Sequence, residues 1–423
     1  MFEKLEQLWQ AKDLRKNLLW VLFMLAMFRL AANIPMPGVN AAALRDFFAN
    51  NNIFSLLNLF SGGGMQNFSI VMMGVGPYIT SSIIFQLLTM IVPSLEEMNK
   101  EEQGRQKINM WTRWLTVPLA ALQSFGMISL LQRSAAGIIG DVSVLGWVAM
   151  ITSITAGTMI LMWLGELISE KKVGNGISLI IFAGIVSRLP STIQQLAASY
   201  DPSMLPMIIG FVIIALITVV GVVIINEGER NIPVQYARQM HGERSYGGTI
   251  TDLPLRVNMA GVIPIIFAIS VAMFPQMMAQ FFLHSKTAAL AGFAQWTIDT
   301  MNNQLIYGII YFVLVFAFTY FYTEIVFHPA EVAENLQKQG GFIPGIRPGP
   351  HTTKYLTYIT HRIILVGALF LGVIAILPLI IRYFTGIQSL VIGGTSLLIV
   401  VSVVIESVKQ IQAQLTMRKY DGI

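Results

Sequence analysis

The feature that most constrains the fold of this chain is a series of long apolar runs. A helix needs about 20 apolar residues to cross a bilayer, whereas a strand of a membrane barrel alternates over about ten. Most of the runs have helical length, and charged or turn-rich segments separate them. The ten runs cover about residues 18–34, 72–93, 114–132, 144–165, 176–190, 206–226, 259–282, 305–325, 362–381 and 388–406. We therefore predict an all-α integral membrane protein with ten transmembrane helices.

Composition supports this class and excludes others. The 423 residues are 55% hydrophobic and 12% charged, with a mean hydropathy of +0.66, which is too apolar for a water-soluble fold of this size. The absence of cysteine excludes disulfides and thiolate metal sites. No G-x-x-x-x-G-K-[ST] pattern occurs, and all five histidines lie outside the runs. We expect no cofactor, no metal and no enzymatic activity.

The distribution of lysine and arginine predicts the orientation. Of the 27 cationic residues, 21 lie on the side that holds both termini, five lie on the other side, and Arg29 lies within the first run. By the positive-inside rule both termini are cytoplasmic. Residues 1–17 then form a cytoplasmic N-terminal segment, and residues 407–423 form a cytoplasmic tail.

The two longest of the predicted cytoplasmic connections are about 227–258 and 326–361. Connections of this length without a function are uncommon, so we expect them to contact a cytoplasmic partner. The alternative is that they only join helices.

An internal repeat relates the two halves of the sequence. MGVGPYI at 73–79 and AGVIPII at 260–266 share Gly, Val, Pro and Ile at the same offsets, and GISLII at 176–181 resembles GTSLLI at 394–399. Runs two and five therefore match runs seven and ten. Because each half has an odd number of runs, the halves, 18–190 and 191–406, have opposite orientations in the membrane and should form an inverted repeat with its working site at their interface.

Four equivalent isoleucines should therefore surround the centre, namely Ile79, Ile181, Ile266 and Ile399. A ring of aliphatic side chains on the repeat axis can form a constriction that excludes water. Ordinary helix packing is the alternative reading. A secondary transporter of small solutes is a second functional hypothesis, because such proteins also contain inverted repeats, but the runs lack the acidic residues that coupled transport requires.

The sequence resembles the SecY family of protein-translocase channels over essentially its whole length. The motifs that carry the resemblance are GVGPYITSSIIFQLL (74–88), LMWLGELISEKKVGNGISLIIFAGIVSRLP (161–190), LPLRVNMAGVIPIIFA (253–268), FIPGIRPG (342–349) and GGTSLLIVVSVVIE (393–406). The resemblance implies a channel in the bacterial cytoplasmic membrane that passes unfolded secretory polypeptides and releases membrane segments sideways into lipid. It also implies SecE-like and SecG-like small subunits, and the SecA motor ATPase or the ribosome as the source of energy.

The resemblance further implies a pore ring of six aliphatic side chains and a re-entrant plug at about residues 55–67. The ring residues are Val75, Ile79, Ile177, Ile181, Ile266 and Ile399. LLNLFSGGGMQ at 56–66 suits a plug, because it is apolar, glycine permits a sharp return, and no charge occurs between Asp46 and Glu96. The alternative is an external loop that touches the lipid surface. The plug residues are Leu56, Leu57, Leu59, Phe60, Gly62, Gly63 and Gly64.

Two more sites follow from the resemblance. A lateral gate between helices two, three, seven and eight would hold Thr80, Gln123 and Asn258 as a polar cluster, with Phe274 on its apolar lining. Local hydrogen bonds to the backbone and simple helix packing are the alternatives for these residues. The partner-docking residues would be Arg238, Arg244, Arg347 and Tyr420. Arginine suits both partners, because it pairs with carboxylate and with RNA phosphate.

Overall fold

The structure, a computed structural model, is mostly helical. It describes residues 11–40, 43–44, 64–133, 138–140, 143–198, 201–202, 205–236, 239–241, 244–246, 250–283, 287–385 and 394–420. The helices are α1 Lys12–Ala32, α2 Gly76–Ile91, α3 Pro93–Lys100, α4 Glu102–Arg133, α5 Val144–Glu170, α6 Gly176–Val186, α7 Leu189–Ala198, α8 Leu205–Glu227, α9 Ile263–Phe282, α10 Ala288–Asn302, α11 Gln304–Val326, α12 Pro329–Lys338, α13 Pro350–Thr385 and α14 Gly394–Tyr420. Each of the ten apolar runs overlaps one of these helices.

Several of the described helices are long and apolar enough to cross a membrane. By length and composition there are five such stretches, which are Val144–Glu170, Leu205–Glu227, Gln304–Lys338, Pro350–Ile381 and Ser396–Met417. Helices α2 and α3 together would make a sixth, although the pair is bent by 106° at the break that Pro93 marks. Helices α6 and α9 are apolar but shorter. These stretches are those of a multi-pass membrane protein.

The two segments that begin α2 and α9 have the same backbone conformation. Gly74 and Gly261 have φ of +57° and +64°, which favours glycine because it has no Cβ atom. A valine follows each glycine and precedes the first residue of the helix, and a proline is the second helical residue. Proline is tolerated there because the first helical turn lacks intrahelical acceptors for its N–H groups. The repeat in the sequence is therefore also a repeat in local structure.

The two long connections contain a three-stranded antiparallel sheet and a separate two-stranded one, so the expectation of an all-α chain requires correction. The strands are β1 Glu229–Tyr236, β2 Gln239–His241, β3 Arg244–Tyr246, β4 Ile250–Arg256 and β5 Gly341–Phe342. β1 pairs with β4 on one side and with β5 on the other, while β2 pairs with β3. Because β5 belongs to the second connection, the sheet joins the two connections. Its inward residues Ile232 and Val234 pack with Leu336 of α12 and Leu356 of α13.

Candidate functional site

The six aliphatic residues predicted to line a pore lie together in one hydrophobic cluster, which we call the central cluster. Val75, Ile181 and Ile399 are buried in it, with 1%, 3% and 1% of their surfaces exposed. The other three, Ile79, Ile177 and Ile266, are partly buried and pack against the same cluster. Aliphatic side chains can exclude water but have no groups to bind an ion or a polar solute.

Local structure explains how each element brings its residue to the centre. The side chain of Asn175 caps α6 by accepting hydrogen bonds from the backbone N–H groups of Ile177 and Ser178, at 3.1 and 3.2 Å. Ile177 and Ile181 are four residues apart and therefore lie on one face of α6. Val75, which caps α2, and Ile79 of α2 have the same spacing, so α2 with its cap and α6 each supply two layers of the central cluster.

A second apolar cluster closes the boundary between α2 and the helices α9 and α11, and we call it the seam cluster. Its buried members are Ala260, Phe267 and Tyr322. The ring of Phe267 meets the rings of Phe318 and Tyr322 edge-on, with centroids 5.9 Å apart in each pair. Ile79 packs against this cluster as well as the central cluster. The two clusters are therefore contiguous.

Comparison with known proteins decides the family. A sequence model of the SecY family matches residues 69–408. The chain belongs to the SecY family. Protein translocase subunit SecY of Mycobacterium bovis is 42% identical over 97% of each chain, and that of Halalkalibacterium halodurans is 43% identical over 100% of this chain and 99% of the relative. The resemblance noted in the sequence is confirmed.

Solved structures show that the fold is also that of the SecY family and its Sec61 counterparts. A structure described as a protein conducting channel has a TM-score of 0.63 at 19% identity and covers 93% of this chain and 91% of that one. Sec61 in a canine ribosome-channel complex has a TM-score of 0.58 at 18% identity, with the same coverage. These likenesses establish the helical channel fold.

Two of the polar residues predicted for the SecY lateral gate, Thr80 and Asn258, form hydrogen bonds with residues outside the predicted polar cluster. The hydroxyl of Thr80 donates to the backbone oxygen of Gly76 in its own helix, at 3.1 Å. The side-chain amide of Asn258 donates to Oδ1 of Asn226, at 2.7 Å. Gln123 is half-buried on α4, and Phe274 is exposed on α9. A polar cluster at the gate stays a prediction, since these described residues share no hydrogen bond with one another.

Asn226 is a polar link that sequence reasoning missed. It accepts the hydrogen bond from Asn258 and donates through Nδ2 to the hydroxyl of Ser402, at 2.7 Å. This chain of side chains joins the end of α8, the segment before α9, and α14. Next to it, Lys409 of α14 forms an ion pair with Glu227 of α8, at 2.8 Å. The C-terminal end of α8 is therefore joined to α14 by two polar contacts.

We expect the substitution Asn226→Leu to lower the free energy of unfolding by about 1–2 kcal/mol, because it leaves Asn258 and Ser402 without their partner in a partly buried site. Chemical denaturation of the full chain in detergent measures this. Thr152→Val is the matched control, since the Thr152 hydroxyl is exposed and bonds only to backbone oxygens of its own helix. Equal unfolding midpoints for the two variants would contradict a stabilising role for the link.

The predicted docking arginine Arg347 is exposed on the loop between β5 and α13. Gly345 and Gly349, on either side of it, have φ of +81° and +95°, and the hydroxyl of Thr352 donates to the Arg347 backbone oxygen at 3.1 Å. An open groove of about 550 Å³ lies beside the loop, and its lining includes Arg347, His351, Lys354, Tyr355 and Tyr358. Arg238 and the side chains of Arg244 and Tyr420 lie outside the described residues.

The predicted plug also lies largely outside the described residues. Of its seven named residues, only Gly64 is described. Gly64 is buried, and its backbone oxygen accepts a hydrogen bond from the N–H of Ser69 at 2.9 Å. A methyl group at position 64 would meet the backbone oxygen of Val71 at 2.9 Å, so glycine permits this close approach. The plug itself stays a prediction.

The structure adds Val262 to the residues around the SecY-type centre. It packs against the central cluster and precedes α9 just as Val75 precedes α2. The repeat in the sequence contains the signal for this residue, because both valines have the same offset from glycine and proline. The aromatic residues of the seam cluster have no comparable signal, since phenylalanine and tyrosine are common throughout the apolar runs.

Proposed function

We propose that this chain is the channel subunit of a protein translocase in a bacterial cytoplasmic membrane, with both termini in the cytoplasm. Unfolded secretory polypeptides pass between two inverted halves of five transmembrane helices each. The central cluster is the observation that carries the proposal, because it draws aliphatic residues from four repeat-related helices to one place. Between substrates the six ring residues close the path, and during passage they seal around the chain.

The names of the bacterial relatives support this function, because each is a protein translocase subunit SecY. The shared backbone of the segments before α2 and α9 supports the inverted repeat. The plug, 55–67, would add a second seal on the external side of the ring. The ring and the plug together account for a channel that has to admit a polypeptide and yet retain ions.

The seam cluster is the part of the structure suited to lateral release. Its contacts across the boundary are apolar and aromatic, and each such contact is individually weak. Helices α2 and α9 can therefore separate without leaving buried polar groups unpaired. Thr80, Gln123, Asn258 and Phe274 would border the opening through which signal sequences and membrane segments reach the lipid.

The exposed loop at Arg347 supports a docking site for the motor ATPase SecA or for the ribosome. Pro344 and Pro348 restrict the backbone of this loop, which lowers the entropy lost on binding, and the arginine can pair with a carboxylate or a phosphate. Arg238 and Arg244, which belong to the first connection, would assist Arg347 in docking. Small SecE-like and SecG-like subunits would complete the translocase within the membrane.

Reconstitution into phospholipid vesicles with SecA, ATP, the small subunits and a secretory precursor tests the function. The expected result is precursor that becomes resistant to external protease only when ATP is present. If all of the precursor remains sensitive to the protease even when ATP is present, the proposal is rejected. Uptake of a small solute driven by a proton or sodium gradient, by the chain alone, would instead favour a secondary transporter.

In the same assay, we expect the substitution Arg347→Glu to reduce precursor translocation about tenfold or more, because it places a negative charge where the partner needs a cation. Arg105→Glu is the control, since Arg105 is also exposed and lies at the cytoplasmic end of α4. Its translocation should stay close to that of the parent. Equal losses in the two variants would indicate a general effect of surface charge instead of docking at Arg347.

A further inference from the structure

Helix α10 connects α9 to α11 and presents three different faces. One face packs against the neighbouring helices and buries Ala294 and Thr297. A second face exposes Phe293 and Trp296, which are three residues apart. Leu290, one turn before Phe293 at the edge of the packed face, is also exposed, and we call these three side chains the apolar stripe. A helix with one packed face does not need such a stripe for folding.

The apolar stripe is dominated by two aromatic rings. Phe293 and Trp296 are 67% and 62% exposed, and their ring centroids are 5.8 Å apart. The third face is polar, and on it the side-chain amide of Gln295 donates to the carboxylate of Asp299 at 3.0 Å. An apolar aromatic stripe beside a polar stripe is typical of helices that lie in a membrane–water interface.

The apolar stripe is continuous in the chain with surfaces that face lipid. Phe282 is exposed at the end of α9, the helix that precedes α10 in the chain. Leu305 and Ile309 are exposed on the first turns of α11, immediately after it. Because α9 and α11 lie in the bilayer, the acyl chains that cover these side chains extend to the level at which α10 begins and ends.

We propose that α10 is an interfacial anchor whose partner is the phospholipid surface on the side of the membrane opposite the cytoplasmic connections. Leu290, Phe293 and Trp296 enter the boundary between headgroups and acyl chains, while Gln295 and Asp299 face water. The inference goes beyond the proposed function, because it requires only that α9 and α11 lie in the bilayer. It also has a consequence for the seam cluster, since α9 carries Phe267 and α11 carries Tyr322. Anchoring α10 holds the outer ends of both helices at a fixed depth.

Spin labelling tests the position of each stripe. The chain has no cysteine, so each single-cysteine variant of the full chain carries one nitroxide. The variants Phe293→Cys and Trp296→Cys place the label on the apolar stripe, and the matched controls Gln295→Cys and Asp299→Cys place it on the polar stripe. In phospholipid vesicles, collisions with oxygen report lipid, and collisions with a water-soluble nickel chelate report water. We expect the ratio of oxygen to nickel collisions to be about threefold or more higher on the apolar stripe than on the polar stripe.

Two results of the labelling experiment would overturn the proposal. If the ratio of oxygen to nickel collisions at positions 293 and 296 is as low as that at 295 and 299, the whole helix lies in water. Exclusion of both reagents at 293 and 296 would show that protein, not lipid, covers the stripe. A label-free measurement covers the case in which the cysteine variants do not fold. Lipids brominated near the headgroup should quench the part of the fluorescence that Trp296→Phe removes, and absence of that quenching would also reject the anchor.

Discussion

Replacing the four repeat-related isoleucines of the central cluster by serine makes membranes that contain this protein leak ions. Serine is smaller than isoleucine and its hydroxyl binds water, so a path that was dry becomes hydrated. We expect the ion conductance of planar bilayers, measured without any precursor, to rise about tenfold or more. The four substituted residues are Ile79, Ile181, Ile266 and Ile399.

The matched control makes the same number of isoleucine-to-serine changes at exposed positions on membrane helices. Suitable residues are Ile160, Ile213, Ile217 and Ile309. This variant should conduct no more than the parent, because its substitutions do not touch the central cluster. If the ring variant conducts no more than the parent, or if the control conducts as much as the ring variant, the central cluster is ordinary helix packing.

Much of the helical framework could be predicted because the bilayer restricts the choice of backbone structure. In hydrocarbon every backbone polar group needs an internal partner, so a long apolar run predicts a helix with little ambiguity. The ends of the helices were less predictable. Helix α13 begins at Pro350, well before the predicted run at 362, because hydropathy reports contact with lipid and a helix can continue into water. Helix α6 ends at Val186, four residues before the end of the run 176–190 that predicts it.

The sheet that joins the two long connections was not predicted, because its strands depend on partners far away in the sequence. Strand β5 is only Gly341–Phe342, and it pairs with Gln235 and Tyr236 of β1. A strand of this length has no periodic pattern of its own. Burial of Ile232 and Val234 alternates with exposure of the residues between them, but the sequence gives no partner for that face.

The central cluster could be predicted because the repeat marks equivalent positions, and equivalence about an axis implies proximity. The link through Asn226 could not, because it joins residues that are 176 positions apart and belong to no repeat. The hydrogen bonds of the predicted gate residues could not be predicted from the repeat either. Thr80 was placed by resemblance, but a threonine in a helix commonly bonds to the backbone oxygen four residues before it, and Thr80 does so.

The second prediction with a large effect concerns the contact between α5 and α6. Gly176 begins α6, and a methyl group there would overlap the backbone oxygen of Gly165 in α5. The N–H of Gly176 also donates to the hydroxyl of Ser169, at 2.9 Å. We expect Gly176→Ala to lower the free energy of unfolding by about 1–3 kcal/mol, because the helices have to separate to admit the methyl group. Chemical denaturation in detergent measures this change.

Displacement of α6 should also affect the seal, because α6 carries Ile177 and Ile181. Gly176→Ala should therefore raise the bilayer conductance as well as reduce stability. Gly210→Ala is the matched control, since a methyl group on Gly210 of α8 would meet nothing within 4 Å and alanine favours a helix. The control should unfold at the midpoint of the parent or slightly above it, and should not leak. If Gly176→Ala is destabilised and yet remains tight, the position of α6 does not govern the seal, and the ring depends on the other helices of the central cluster.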